Sequence, residues 1–171
     1  AAVKDWHWLQ SNPMHKVRKL DEPKGRIRFL SDDERLALLK ACRESQSQHL
    51  YPIVVLALST GMRQGEIMGL TWDVVNLKTG HITLLDTKNG ETRGVPVVGV
   101  ALELLKAHSK VRRIDTPLVF PSVEGDKPIN FRSGWLTALE AAGIEDFRFH
   151  DLRHTAASYL AMSGATLAEI A

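Results

Sequence analysis

Residues 50–60 read "LYPIVVLALST" and end at Gly61. A helix of that stretch is apolar on every side, so it has no face to give to water and has to be surrounded by the rest of the chain. Gly61 suits the left-handed position that closes such a helix. The segment therefore demands a core built around it. With 171 residues, 44% of them hydrophobic and 25% charged, the chain has enough material for one domain with its own core. No run approaches the roughly 18 to 20 apolar residues of a membrane helix, and the start lacks the layout of a signal peptide. A soluble, cytoplasmic protein is expected. The single cysteine, Cys42, sits on the apolar side of a predicted helix, where a buried, inert thiol is expected.

Around the central segment the patterning predicts further helices. "SDDE" from Ser31 is a capping box, with Leu36, Leu38, Leu39 and Cys42 on the helix it opens. A short helix is predicted to start near Met62, with Arg63 one residue into it. "WDVVNLKTGHITLLDTKNGETRGVPV" holds alternating or β-branched runs broken at Lys78-Thr79-Gly80 and Lys88-Asn89-Gly90, which reads as a three-stranded antiparallel meander. Helices follow at about 100–108, at 131–142 behind Asn130 as N-cap and before Gly143, and at 150–163 before Gly164. The fold class is α+β, mostly helical around a small three-stranded sheet. Trp6, Trp8, Trp72 and Trp135 are expected to pack. "ATLAEIA" starts another helix at Thr166 with only about one and a half turns formed, so the expectation is a domain that is C-terminally incomplete.

A net charge of +2 is unevenly spread. Residues 1–30 carry seven Lys and Arg against three Asp and Glu, and the remainder carries 15 against 17. The division expected is a basic arm over 1–28 and a folded body over 29–171. Lys16, Arg18, Lys19, Lys24, Arg26 and Arg28 are the arm's candidates for neutralising phosphates on nucleic acid.

The candidate chemistry lies in the body. His150 and Arg153 are three apart at a helix start, so they share a face beside the positive end of the helix dipole, where an anion is favoured. Arg63 stands at another helix start, and Glu66, three residues on, can hold its guanidinium. Lys88 rides a polar turn. Each has a plain alternative, a surface ion pair for Arg63 and a solvated ammonium for Lys88. Together they supply two planar forks, an imidazole and an ammonium. A phosphodiester under attack gathers negative charge on its two non-bridging oxygens, which two arginines can grip, and its leaving alkoxide needs a proton from Lys or His. No acidic cluster of the kind that holds two metal ions accompanies them, so no metal or other cofactor is expected. A rival reading takes His150 and His154, four apart in "HDLRH", as ligands of a zinc hydrolase, with Asp151 where that motif wants Glu.

"STGMRQGEIMGLTW", "TKNGETRGVPV" and "FRFHDLRHTAASYLAMSGATLAEIA", in this order, resemble the catalytic domain of tyrosine recombinases, most of all the integrases of phages and prophages. The resemblance covers roughly residues 20–171. It implies site-specific DNA integration by metal-independent cleavage and rejoining through a 3'-phosphotyrosine. Arg63 and Arg153 match the activating arginines, Lys88 the lysine that protonates the leaving 5'-oxygen, and His150 the imidazole of His-x-x-Arg. Glu66 and His154 match supporting positions. The partner implied is double-stranded DNA at attachment sites, with a homo-tetramer for the full-length protein and a monomer for the chain alone. The family's attacking tyrosine follows the "LAEIA" helix, so the chain alone is expected not to cleave and to act as a non-cleaving DNA-binding module. Tyr51 falls in the core helix. Tyr159 is nine residues beyond His150, about 13 Å along a helix axis, too far to share its phosphate.

Overall fold

The computed structural model describes residues 3, 5–13, 17, 28–85 and 92–164. The apolar segment forms helix α2 (Leu50–Thr60), and Leu50, Ile53, Val54, Val55, Leu56 and Ala57 along it are buried. Burying such a side chain removes it from water at a gain of about 1.5–3 kcal/mol for the larger ones. Four elements supply the cover. They are α1 (Asp32–Arg43), α3 (Gln64–Met68), α4 (Gly99–Lys110) and α6 (Asp151–Met162), all packed on α2. Helix α5 (Arg132–Ala141) packs on α1 and extends the core through Trp135, which lies against Phe147 and Phe149.

The capping box forms as the sequence requires. The Ser31 hydroxyl accepts from the Glu34 amide at 3.2 Å, and the Glu34 carboxylate accepts from the Ser31 amide at 2.9 Å. Leu38 and Cys42, four apart, face the core. Leu36 is exposed, since two positions on a helix turn it to the far side. Burial pushes the Cys42 thiol up to about 12. Arg28 also holds Glu34, through bonds of 2.5 and 3.0 Å, and lies over the Phe147 ring. With these contacts the Glu34 carboxyl falls to about 2.

The sheet is the expected meander, β1 (Val75–Asn76), β2 (His81–Leu85) and β3 (Thr92–Pro96), antiparallel in the order β1-β2-β3. Its inner face carries Ile82 opposite Val95 and Leu84 opposite Arg93. Strand β1 is shorter than the pattern suggests, because Trp72–Val74 form a single 3-10 turn before it. The Trp72 amide donates to Pro117 instead of to a neighbouring strand. Between β1 and β2 the Asn76 side chain accepts from the amides of Lys78 and Thr79, and Gly80 turns the chain with φ +66°.

Two start points differ from expectation. Helix α5 begins at Arg132 with Phe131 as N-cap. Asn130 instead accepts from the Arg132 amide, because Phe131 is buried against Phe149 and this contact sets the entry of the helix. Arg63 is the N-cap of α3 in extended conformation, and the helix starts only at Gln64. Trp135 packs as expected, whereas Trp6 and Trp8 are exposed and contact each other at 4.8 Å. They precede the first apolar-periodic segment, so no core face includes them. Among the described residues no helix is long and apolar enough to cross a membrane.

Two measurements check this account. A Cβ on Gly80 would lie 2.7 Å from the Val97 carbonyl oxygen at a φ of +66°, so Gly80→Ala should destabilise by about 1–3 kcal/mol in urea titration. Gly65→Ala on α3, where a Cβ meets open space, should leave the midpoint unchanged or slightly raised. The second concerns acid. The Glu34 pKa is depressed in the fold, so its contribution is present above the ordinary value of 4.5 and is lost as pH falls toward about 2. Glu34→Gln should therefore lower stability at pH 7, and the gap to wild type should close through that window.

Candidate active site

Helix α2 ends where two hydroxyl and amide bonds turn it off. Thr60 donates its hydroxyl to the Leu56 carbonyl at 2.6 Å, and the Gly61 amide donates to Ala57 at 2.9 Å with φ +63°. The Gly61 carbonyl then lies free of the helix ladder. It accepts from Nη1 of Arg153 at 2.6 Å. A guanidinium is well placed at this negative end of the dipole. The bond ties the first turn of α6 to the end of α2 across 92 residues of sequence.

Two residues past Gly61, Arg63 and Glu66 form a capping pair. The Glu66 carboxylate accepts from the Arg63 amide at 2.7 Å through Oε2 and from Arg63 Nη1 at 2.9 Å through Oε1. Arg93, entering from β3, donates Nη2 to Oε2 at 2.9 Å. Burial acts to raise the Glu66 pKa, but the bonds from Arg63 and the charges of Arg93 and Arg63 overcome it and hold the carboxyl below its ordinary value. Arg153 is lowered from its ordinary value, first by burial and then by the charges of Arg63 and Arg93. Three guanidinium groups thus feel one another around one carboxylate and leave an excess of positive charge.

A cleft of about 220 Å³ opens here, lined among others by Thr60, Gly61, Arg93, Arg153 and His154. Larger cavities exist, one of about 600 Å³ between α1 and α5, but its lining holds no guanidinium or imidazole. Another, of about 520 Å³, is lined by His49, His108, Arg112 and Arg113 but by none of the motif residues. The 220 Å³ cleft is the candidate site because Arg153 and His154 of the His-x-x-Arg helix line it together with Arg93. His150 is the exposed N-cap of α6, and its ring meets that of His154 at 5.3 Å and 90°. Of the expected residues, Arg153 and His154 line the cleft and Arg63, Glu66 and His150 do not, although Arg153 feels the charges of Arg63 and Glu66 and His150 starts the same helix. Lys88 lies outside the described residues, as do Lys16, Arg18, Lys19, Lys24 and Arg26. Arg28 is described, and its guanidinium is bonded to Glu34 at the entry of α1.

Neither tyrosine lines the cleft. Tyr159 donates its hydroxyl to Asp32 at 2.7 Å under the Arg35 guanidinium, and the Asp32 bond raises its pKa. The Tyr51 hydroxyl accepts from Arg43. The zinc-hydrolase arrangement is not formed either. Asp151 is buried and turns its carboxylate back to the Arg148 amide at 2.8 Å, away from a base's position. Among the described residues no group of three or more His, Cys, Asp or Glu could hold a metal.

Arg93 is the residue that motif reading passed over. Its signal was present in "TRGVPV", where the strand period of two puts Arg93 on the face of Val95 and Val97, both of which are buried. A charge at an inward strand position needs a partner, and Glu66 is that partner.

Comparison with known proteins agrees with this fold. The model of the phage integrase family matches residues 28–171. The chain is 36% identical to the shufflon-specific DNA recombinase of Escherichia coli over 98% of its length and 42% of that protein's. It is 35% identical to the integrase of Salmonella phage P22 over 98% of its length and 45% of that protein's. The chain thus spans less than half the length of these curated relatives. Among solved structures, the XerA recombinase superposes with a TM-score of 0.74 at 25% identity, over 90% of this chain and 56% of that one. The catalytic domain of bacteriophage HP1 integrase superposes with a TM-score of 0.65 at 28% identity, over 85% and 78%. The chain, with its α+β fold of helices around a three-stranded sheet, therefore belongs to the phage integrase family of tyrosine recombinases.

Proposed function

We propose that residues 29–171 are the catalytic body of a site-specific DNA recombinase, preceded by a basic linker over 1–28, that breaks and rejoins DNA without a metal. The observation that carries this reading is the bond from Arg153 to Gly61, which ties the His-x-x-Arg helix to the chain two residues before Arg63, so that Arg153 feels the charge of Arg63. In the attacked phosphodiester the two non-bridging oxygens gain charge as phosphorus becomes five-coordinate. Arg63 and Arg153 donate to them from positions set before substrate arrives, which lowers the barrier without reorganisation. A tyrosine oxygen forms the new bond to phosphorus, and the bond to the 5'-oxygen breaks. Lys88, in the segment between β2 and β3, gives the leaving oxygen its proton, and His150 handles the proton of the attacking hydroxyl. Glu66 orients Arg63, and His154 supports His150.

The substrate is double-stranded DNA at attachment sites, worked on by a homo-tetramer at the nucleoid of a bacterial cell. The arm's Lys16, Arg18, Lys19, Lys24 and Arg26 add phosphate contacts. The chain by itself binds DNA as a monomer.

Assayed within its full-length gene product on a nicked suicide duplex, the protein should accumulate a covalent protein–DNA adduct in EDTA. Arg63→Ala and Arg153→Ala should each slow trapping by roughly 10²–10³-fold with the fold intact. Adduct formation that requires added zinc or magnesium would sink the metal-free mechanism. Binding of duplex DNA by the 171-residue chain should weaken steeply as salt rises, because phosphate contacts dominate it. An affinity that is flat between low and moderate salt would contradict that picture.

A further inference from the structure

Arg93 has the contacts of more than a surface ion pair. It stands on the inner face of β3, opposite Leu84 and two residues before the buried Val95. It reaches a carboxylate that is only 22% exposed and already committed to Arg63. The oxygen it holds, Oε2, is the same one that accepts the Arg63 amide, while Oε1 takes the Arg63 guanidinium. Arg93 also lines the cleft with Arg153. An incidental staple between a hairpin and a helix would need none of this convergence.

The chemistry of the shared carboxylate explains what the convergence does. A guanidinium has five donors, and Arg63 spends one of them on Glu66. Left with Arg63 as its only cationic partner, Glu66 could turn about its side-chain bonds and close bidentately on that fork. Its donors would then face the carboxylate and not an incoming anion. A second cation anchored on a strand holds Oε2 in place and keeps the carboxylate to one bond with the Arg63 fork.

We propose that Arg93 is a positioning residue of this site: by holding Glu66 Oε2 from β3, it fixes the carboxylate that aims the Arg63 guanidinium at a bound phosphate. The inference rests on the phosphate-gripping reading of Arg63 and Arg153 given above. It concerns a residue to which the His-x-x-Arg, Thr-Gly-Met-Arg and Thr-Lys-Asn-Gly motifs assign nothing.

The test uses the 171-residue chain and inorganic phosphate, exchanged for chloride at constant ionic strength, with the arginine Nε–H resonances followed by NMR. Wild type should show saturable shifts at Arg63 and Arg153. Arg93→Ala should weaken phosphate binding by about fivefold, and Arg93→Lys, which keeps a charge donor on the strand, should recover most of the loss. In an Arg63→Ala background, Arg93→Ala should add nothing, because its effect passes through Arg63. Glu66→Gln should reproduce the loss, and Arg93→Ala should add nothing to that either, which keeps the test open should one variant fold poorly. Equal losses with and without Arg63, unchanged binding in Arg93→Ala, or no saturable shift at Arg63 in wild type would each overturn the proposal. Failure of the strand-cleavage reading would show separately, as no trapped adduct from a protein whose phosphate titration behaves as described.

Discussion

The carbonyl of Gly61 is where the core becomes a site. Helix α2 is fixed because Leu50, Ile53, Val54, Val55, Leu56 and Ala57 are buried under its neighbours, and its end is fixed because Gly61 takes a left-handed φ of +63° that allows the ladder to stop. A rigid helix end is a rigid carbonyl, and that carbonyl receives Arg153. The chain leaving Gly61 also reaches Arg63 within two residues. Both guanidinium groups thereby inherit the precision of a packed core, although neither belongs to it. Loss of packing around α2 would be felt at the cleft as misplacement of both.

The arrangement of charge works against the free protein. Arg153 is half-buried and feels Arg63 and Arg93, and Glu66 is the carboxylate that opposes all three. Desolvation and like charges both disfavour a cation, which is why the Arg153 pKa falls. A structure selected for stability alone would place a second carboxylate here. An anion beside these guanidinium groups would offset that repulsion.

Much of this was legible in the sequence, for reasons that differ by element. Helix α2 announced itself because an apolar segment with no polar face has one solution. The Ser31 box and the Gly61 stop are local, set by residues within four positions, and the fold keeps them. What was missed depends on tertiary contacts. Phe131 displaced Asn130 as N-cap because its ring is buried against Phe149, a contact 18 residues away in sequence. Arg28 was legible as a basic residue of the arm, and its two bonds to Glu34 were not. Arg93 was hidden because its meaning lies in a carboxylate 27 residues earlier. Arg63, Glu66 and Arg153 were legible as members of motifs, while the sharing of Glu66 between Arg63 and Arg93 was not.

The stretch "HDLRHTAAS" shows how one helix turn serves both scaffold and site. Asp151, Leu152, Thr155 and Ala156 are buried, and the polar pair among them is fully engaged. The Thr155 hydroxyl donates to the Asp151 carbonyl at 2.9 Å and accepts from the Leu30 amide at 3.1 Å, while the Asp151 carboxylate holds the Arg148 amide. These bonds lie in the dry interior, where an unmade bond costs most, so they fix the rotation of α6 about its axis. His150, Arg153 and His154 occupy the remaining positions of the same turn and are left outside the core. The buried threonine and aspartate therefore decide which way the exposed imidazoles and the guanidinium point. A helix held by apolar contacts alone could roll by a few tens of degrees at small cost, and Arg153 would then lose the Gly61 carbonyl.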